Sequence, residues 1–369
     1  MRALRGNMQG YSLAETMVGM LIGLLGVLMI MQVATLFQER RHSAVAASQA
    51  AGHGALAAHA MERDLRSAGY GLGAATGCRL HRFFLNKALA PMSLTPLEIT
   101  ADLAGPDVVL IRFGTRPAAV DAVPITQAHT AATTVLELAS TAGMAADDQV
   151  ILFEPGRDCM LAEISTTPSG TAIRHEAGTH KWNSGGGGAS GNSATPGSGS
   201  ALGDYTTAGS VIDIGQLGMV EYMVRGGVLQ RRVYRPASND WQAQELATGI
   251  VLLKAQYGFD TRPGTSAARQ VTSWRDSMVD ADGDGTLGSA GDVLRMLAVR
   301  MVLLAQVGAR EKPGADGCQT TTVKPQWHAG AADGNVTLAD LPVGQIGDWK
   351  CYRYQVFENV IPFRNLLWR

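Results

Sequence analysis

The sequence has few charged and few aromatic residues, and its charges nearly cancel. Charged residues make up 17% of the 369 positions and aromatic residues 6%, and 31 basic side chains stand against 32 acidic ones. Without an excess of positive charge, the chain has no overall field that would hold nucleic acid. The composition therefore argues against a nucleic-acid-binding protein, and 44 glycines are typical of a β-rich exported domain with long loops.

The sequence also lacks the short motifs of common catalytic and nucleotide-binding sites. Gly185–Gly188 is not followed by the Lys and Ser or Thr of a phosphate-binding loop, and no Gly-x-Ser-x-Gly motif occurs. His175 and His180 are five residues apart with Gly178 between them, whereas a zinc-protease helix places its histidines four apart. We therefore predict that the chain is not an enzyme.

The cysteines are too far apart for a metal-binding or redox pair. Cys78, Cys159, Cys318 and Cys351 include no CxxC spacing. In an exported protein, an even number of well-separated cysteines indicates disulfides, and four cysteines allow three connectivities. The shortest loop favours Cys318 with Cys351, which leaves Cys78 with Cys159.

The N-terminal region carries one long uncharged segment. No charged residue occurs from Thr16 to Gln38, and this stretch is long enough as a helix to cross a bilayer of about 30 Å. Basic residues lie on both sides of it, so flanking charge does not fix its orientation. By itself the segment predicts a membrane-spanning helix, for which a plain signal anchor is the simplest alternative.

The hexapeptide Gly10–Glu15, reading GYSLAE, precedes the apolar stretch, whereas an ordinary secretory signal is cleaved after its apolar stretch. It resembles the prepilin peptidase site of type IV pilins, where a short basic leader ends in Gly and an aromatic residue begins the mature chain. The resemblance implies cleavage after Gly10, methylation of the Tyr11 amine, and an assembly role for Glu15. A carboxylate at the head of an apolar helix needs a partner, and the freed Tyr11 amine of the same or a neighbouring subunit is an available cation.

Beyond the apolar segment, the pattern predicts a continued helix and then a β-rich head. Helical spacing of apolar residues extends from Ala44 to Arg66, and Gly69 supplies a left-handed turn at its end, near Ala68. The tract Ser184–Ser200 has no large apolar side chain and predicts a flexible loop. The predicted strands are 107–112, 134–138, 149–153, 161–166, 220–224, 228–234, 250–259, 296–304 and 352–361, with a hairpin turn at Gly226–Gly227.

Three separated segments resemble the PilW family of minor pilins. They are Met61–Tyr70 at the end of the long helix, Glu245–Ile250 with Tyr257–Asp260 in the centre, and Arg353–Asn365, which reads RYQVFENVIPFRN. The resemblance implies an α+β, pilin-like fold, with a long N-terminal helix packed on an antiparallel sheet and a loop-rich head. The expected organisation is a leader at 1–10, a transmembrane half-helix at 11–38, a periplasmic half-helix at 39–69 and a head at 70–369.

The resemblance also implies a low-abundance subunit of a type IV pilus. Its implied partners are prepilin peptidase, other minor pilins, the major pilin, a tip adhesin, and inner-membrane lipid before assembly, with the head in the periplasm. Two alternatives remain open: a minor pseudopilin of type II secretion, and a membrane-anchored adhesin in which residues 78–204 form a binding domain on a pilin stem.

An acidic loop near residue 280 has the spacing of half an EF-hand. Asp280, Asp282 and Asp284 occupy positions 1, 3 and 5, and Thr286 would offer its carbonyl at position 7. Position 12 is Gly291, so Asp292 would have to replace the usual bidentate Glu. The loop predicts a Ca²⁺ site that stiffens the chain, and the alternative is an Asp/Gly turn between strands.

Overall fold

A computed structural model describes residues 12–116, 122–130, 133–176, 180–183, 204–264 and 269–367. Its longest element is helix α1, Leu13–Arg66, whose 54 residues span about 80 Å. Ser67 caps the end of α1, and Gly69, with φ of 75°, turns the chain into the head. The predicted cleavage site at Gly10 and Tyr11 and the predicted flexible loop at 184–200 lie outside the described residues.

The described part of the head contains 21 strands and two short α-helices. The helices are α2 (Ala290–Arg295) and α3 (Arg364–Leu367). The strands are β1 (Arg79–His81), β2 (Phe83–Phe84), β3 (Lys87–Ala88), β4 (Met92–Ser93), β5 (Leu97–Thr100), β6 (Val108–Gly114), β7 (Val123–Pro124), β8 (Val135–Glu137), β9 (Gln149–Phe153), β10 (Cys159–Glu163), β11 (Ala172–Arg174), β12 (Ser210–Gly215), β13 (Leu217–Arg225), β14 (Val228–Arg235), β15 (Asp240–Thr248), β16 (Ile250–Phe259), β17 (Ser273–Arg275), β18 (Met296–Val307), β19 (Gln326–Gly330), β20 (Val336–Asp340) and β21 (Arg353–Pro362).

Three larger sheets organise these strands. A five-stranded antiparallel sheet has the order β15-β14-β13-β6-β5, and a four-stranded antiparallel sheet has the order β17-β16-β18-β21. A six-stranded sheet, β4-β1-β10-β9-β12-β7, contains one parallel pair, β1 with β10. The pairs β2/β3, β8/β11 and β19/β20 form separate two-stranded ribbons.

Two layers of the head meet at the five-stranded sheet. On one face of the five-stranded sheet, the second half of α1 lies between β13 and strand β18 of the four-stranded sheet. Met61 and Leu65 of α1 are fully buried there. On the other face, Leu217 and Met219 of β13 pack toward the six-stranded sheet. We call the first part the junction layer (residues 54–68, 97–114, 217–259, 296–307 and 353–363) and the second the distal layer (residues 78–93, 122–130, 133–176, 180–183 and 204–215).

The structure confirms the α+β prediction and corrects some of its details. Strands β9 and β16 have the predicted bounds, and Gly226 and Gly227, both with positive φ, form the predicted hairpin turn. The apolar pattern on α1 is only partly a buried face, because Val45 and Leu56 are exposed. The head also has several sheets, and the edge strand β15, with mainly polar side chains, was not predicted.

Candidate functional site: the N-terminal helix and its junction with the head

The first half of α1 is an exposed apolar rod. From Leu13 to Thr35 it is long and apolar enough to cross a membrane, and none of this segment is buried against the head. Its large side chains, such as Met20, Leu24 and Ile30, are more than 60% exposed. Water does not stabilise such a surface, so this half of the helix is suited to lipid or to other apolar helices.

Glu15 has a role at the start of the helix that the sequence analysis did not predict. The backbone N–H of Ser12 donates to Glu15 Oε2 at 3.2 Å, and the Ser12 hydroxyl accepts from the N–H of Ala14 at 3.2 Å. This is a capping box, which satisfies backbone donors left free at a helix N-terminus. The pattern Ser-x-x-Glu before an apolar run could have indicated it.

The second half of α1 approaches strand β21 closely at Gly54. A Cβ at position 54 would overlap the ring of Phe357, whereas Gly52, two residues earlier, has open space. Glycine weakens a helix, so its value here lies in the close approach that the missing side chain allows. The sequence shows Gly54 only as a weak point in the helix, and its packing role becomes visible only beside Phe357.

A buried polar group fixes the helix to the five-stranded sheet. Asp64 is 8% exposed, and its Oδ2 accepts from the hydroxyl of Tyr222 and from Nε of Arg231, both at 2.7 Å. Burial, together with the neighbouring Asp64 carboxylate, raises the pKa of Tyr222, so the phenol keeps its proton and stays a donor. A buried carboxylate needs hydrogen-bond donors or an opposite charge, and Asp64 has both in Tyr222 and Arg231. Because these partners are on the sheet, they set the rotation of α1 about its axis.

Strand β21 and the following helix α3 hold the last turns of α1. Nδ2 of Asn359 donates to Glu62 at 2.9 Å, and Nδ2 of Asn365 donates to the carbonyl oxygens of Arg66 and Ala68, both at 3.1 Å. The carbonyl oxygens at a helix C-terminus have no partner within the helix, so Asn365 supplies one from the far end of the chain. Glu62 also pairs with Arg66, one turn further along the helix.

The three segments that carry the PilW resemblance therefore share one core. Met61 of α1, Tyr257 of β16 and Ile361 of β21 belong to a single buried cluster in the junction layer. The hydroxyl of Tyr257 also accepts from the N–H of Ile99 at 2.6 Å, which joins β16 to the five-stranded sheet. The second half of α1 and strands β16 and β21 thus form one structural unit, from which the exposed apolar half of α1 extends.

The cysteines form the pairs that the sequence favours. Cys78 is bonded to Cys159 in the distal layer, and Cys318 to Cys351 near the start of β21. The first bond closes a sequence separation of 81 residues and the second one of 33. No cysteine of the chain is free.

The acidic loop brings its first three carboxylates together. Asp280, Asp282 and Asp284 each offer an oxygen within 4.8 Å of the others. Asp280 accepts from the N–H groups of Gly283, Asp284 and Gly285, and these hydrogen bonds, with that from Gly285 the largest, lower its pKa. The Ca²⁺ site therefore stays a prediction, because backbone N–H groups already satisfy part of the acidic cluster.

Asp292 has a different place from the one predicted for a calcium ligand. It is fully buried, its Oδ1 accepts from the N–H groups of Ala281 and Asp282, and its Oδ2 accepts from that of Gly288 at 2.8 Å. These contacts close the loop onto α2 through the backbone. Asp292 is not one of the three clustered carboxylates.

The helix, its junction and the β-rich head define a pilin-like protein with one N-terminal apolar helix. The family model "Type IV Pilus-assembly protein W" matches residues 220–365, a range that contains strands β14 to β21. This match confirms the resemblance to PilW-family pilins and supports the prediction that the chain is a structural protein and not an enzyme.

Among solved structures, the type IV-like pilin TTHA1219 from Thermus thermophilus is similar to the chain. The identity is 11% and the TM-score 0.33, over 86% of this chain and 97% of that one. No curated protein sequence matches the chain. The fold assignment therefore rests on the helix and sheets of the chain itself.

Proposed function

We propose that the chain is a minor pilin of a type IV pilus. The observation that carries the proposal is that one continuous helix is apolar and exposed from Leu13 to Thr35 but is fixed to the head from Gly54 onward. A subunit built in this way can exchange lipid for neighbouring helices without rearranging its head. The pilus-assembly family match over residues 220–365 gives independent support.

In this proposal, prepilin peptidase cleaves the chain after Gly10, and the new amine of Tyr11 is methylated. Before assembly, the apolar half-helix holds the subunit in the inner membrane with its head in the periplasm. In the filament the same surface packs against the helices of other minor pilins and of the major pilin, and this packing offsets the loss of lipid contacts. The head is then presented at the filament tip, where it supports assembly and the display of an adhesin.

Glu15 would direct this step from membrane to filament. Its carboxylate caps the helix in the structure, and cleavage after Gly10 creates a positively charged amine four residues before it. An ionic partner for a carboxylate in an apolar environment is worth several kcal/mol, so pairing with an amine would favour one axial position of the helix over others.

Mass spectrometry and a filament assay test the proposal. Protein from its native membrane should begin at methylated Tyr11, and Glu15→Ala should insert in the membrane but be depleted from sheared filaments. Thr16→Ala, the neighbouring position on the same helix, is the matched control and should be incorporated normally. A Met1 terminus, or normal incorporation of Glu15→Ala, would contradict the proposal, and intact pili with lost protein secretion in a deletion strain would point to a secretion pseudopilus instead.

A further inference from the structure

Three side chains from separate segments converge at one corner of the distal layer. Asp147 lies two residues before strand β9, Glu163 ends strand β10, and His180 belongs to the short segment 180–183. Because β9 and β10 are antiparallel, with Glu163 opposite Gln149, the start of one strand and the end of the other meet at the same edge. The residues are distant in sequence, and the topology brings their ligating atoms within 4.8 Å of one another.

The spacing of these atoms fits a shared ion better than direct hydrogen bonds. Nδ1 of His180 is 3.6 Å from Asp147 Oδ1 and 3.7 Å from Glu163 Oε1, both beyond the usual hydrogen-bond distance. Ligands about 2.1 Å from a tetrahedral zinc ion are about 3.4 Å from each other. The observed separations lie close to that value.

Two other histidines show what a direct contact with a carboxylate looks like in this protein. His81 Nε2 is 2.8 Å from Asp158, and His328 Nδ1 is 3.0 Å from Glu358, so each of these rings is hydrogen-bonded to one acid. His180 instead faces two acids and hydrogen-bonds to neither, although its side chain is only 18% exposed. Within the described parts of the chain, the His180 ring is also the only basic group that Asp147 and Glu163 approach within 4.0 Å.

The backbone around the three side chains is held in place by other contacts. Glu163 Oε2 accepts from the N–H of Trp182 at 3.0 Å, and the Asn183 amide donates to the carbonyl oxygen of Glu163 at 2.7 Å. Gln216 Nε2 donates to the carbonyl oxygen of Asp147 at 2.8 Å. Such outer contacts orient metal ligands, and here they leave Glu163 Oε1 and the His180 ring facing each other.

We propose that Asp147, Glu163 and His180 bind one divalent transition-metal ion, with Zn²⁺ as the representative. One imidazole and two carboxylates suit zinc and its neighbours in the first transition row better than Ca²⁺ or Mg²⁺, which prefer oxygen ligands alone. Asp147 is 77% exposed at its side chain, so the fourth position opens to solvent and takes a water. The ion would tie the start of β9, the end of β10 and segment 180–183 into one corner, a role separate from filament assembly.

A metal titration of the full-length protein in detergent tests the site. After removal of metals with EDTA, isothermal titration with Zn²⁺ should show one site per chain, confirmed by elemental analysis after dialysis. His180→Ala and Glu163→Gln should weaken zinc binding by at least about tenfold, because each removes a direct ligand. His328→Ala, which removes a histidine paired with one carboxylate, is the matched control and should bind zinc as the wild type does.

Asp147→Asn separates loss of the site from loss of the fold. The Asp147 side chain is exposed and its backbone φ is 68°, a conformation that Asn tolerates, so this variant should melt like the wild type in EDTA but still bind zinc at least about tenfold more weakly. Asp280→Asn tests whether the acidic loop contributes to the measured zinc binding, and this variant should bind zinc as the wild type does. Absence of zinc binding by the wild type, or undiminished binding by His180→Ala or Asp147→Asn, would overturn the proposal.

Discussion

The junction layer and the distal layer are held together in different ways. In the junction layer, one helix is fixed by close apolar packing at Gly54 and Leu65 and by hydrogen bonds at Asp64 and Asn365. The distal layer has a disulfide, a buried pair of histidines and the carboxylate corner around His180. We infer that the junction layer depends mainly on packing, while the distal layer responds to redox state, pH and metal ions.

The largest effect should come from removing core volume in the junction layer. Leu65 is fully buried between helix and sheets, so Leu65→Ala should lower the free energy of unfolding by about 2–5 kcal/mol. Chemical denaturation followed by tryptophan fluorescence measures this change. Leu24→Ala, in the exposed half of the same helix, is the control and should leave the head unchanged; equal effects of both variants would contradict the division of α1.

Loss of the distal disulfide should come next. Replacing Cys78 and Cys159 by Ser should cost about 2–4 kcal/mol, because the unfolded chain gains the freedom that the closed loop removes. Replacing Cys318 and Cys351 should cost about 0.8 kcal/mol less, since that loop spans 33 residues and not 81. Under reducing conditions, the rate of amide hydrogen exchange should increase first in the distal layer. An earlier increase in strands β16 and β18 would contradict the proposed difference between the two layers.

A methyl group at position 54 should disturb the junction by a smaller amount. Gly54→Ala places a Cβ against the Phe357 ring and should destabilise the protein by about 1–3 kcal/mol as the ring moves aside. Gly52→Ala meets open space and should stabilise the helix by up to about 1 kcal/mol. Thermal melting of the two variants gives opposite shifts if helix and strand meet as described, and the same shift if they do not.

The smallest effect concerns pH and the distal layer. Burial, reinforced by His129 at 3.0 Å between the two Nε2 atoms, lowers the pKa of His175 from 6.5 to about 3. Between these two pKa values the unfolded state binds more protons than the folded state. The contribution of His175 to the free energy of unfolding is therefore complete above pH 6.5 and decreases as the pH falls toward 3, by up to about 1.4 kcal/mol per pH unit.

Comparison with His175→Gln isolates that slope. Burial raises the pKa of Asp213 to about 6, which gives the opposite dependence, and this contribution is common to the wild type and the variant. Urea unfolding at pH 7 and pH 5 should show that the wild type loses more stability than the variant on acidification. Equal losses would exclude the histidine pair as an acid-sensitive element.

The sequence predicted the junction layer better than the distal layer. Helix α1 and strands such as β16 have strong periodicity or long apolar runs. The strand pattern of the distal layer is weaker, because several of its strands, such as β7 and β11, have only two or three residues.

The contacts of the candidate site lay beyond sequence reasoning for a different reason. Asp64 and Tyr222 are 158 residues apart, and a single Asp on an otherwise apolar helix face gives no sign of its partner. Asn365 belongs to one of the segments that carry the family resemblance. Its partners, however, are backbone carbonyl oxygens near residue 66, which every residue has. Asp292 is a predicted calcium ligand. In the structure its oxygens accept hydrogen bonds from backbone N–H groups that only the folded loop brings together.

The contact of Asn365 with the end of α1 joins positions 299 residues apart, which has a consequence for the order of biogenesis. Helix α1 leaves the ribosome early, but its head-bound half acquires its final neighbours only when strand β21 and Asn365 have been made. Until then, the surface at Met61 and Leu65 lacks strand β21 and stays open to chaperones and proteases. The fixed position of α1 on the head therefore depends on a strand and a side chain that are made late in synthesis.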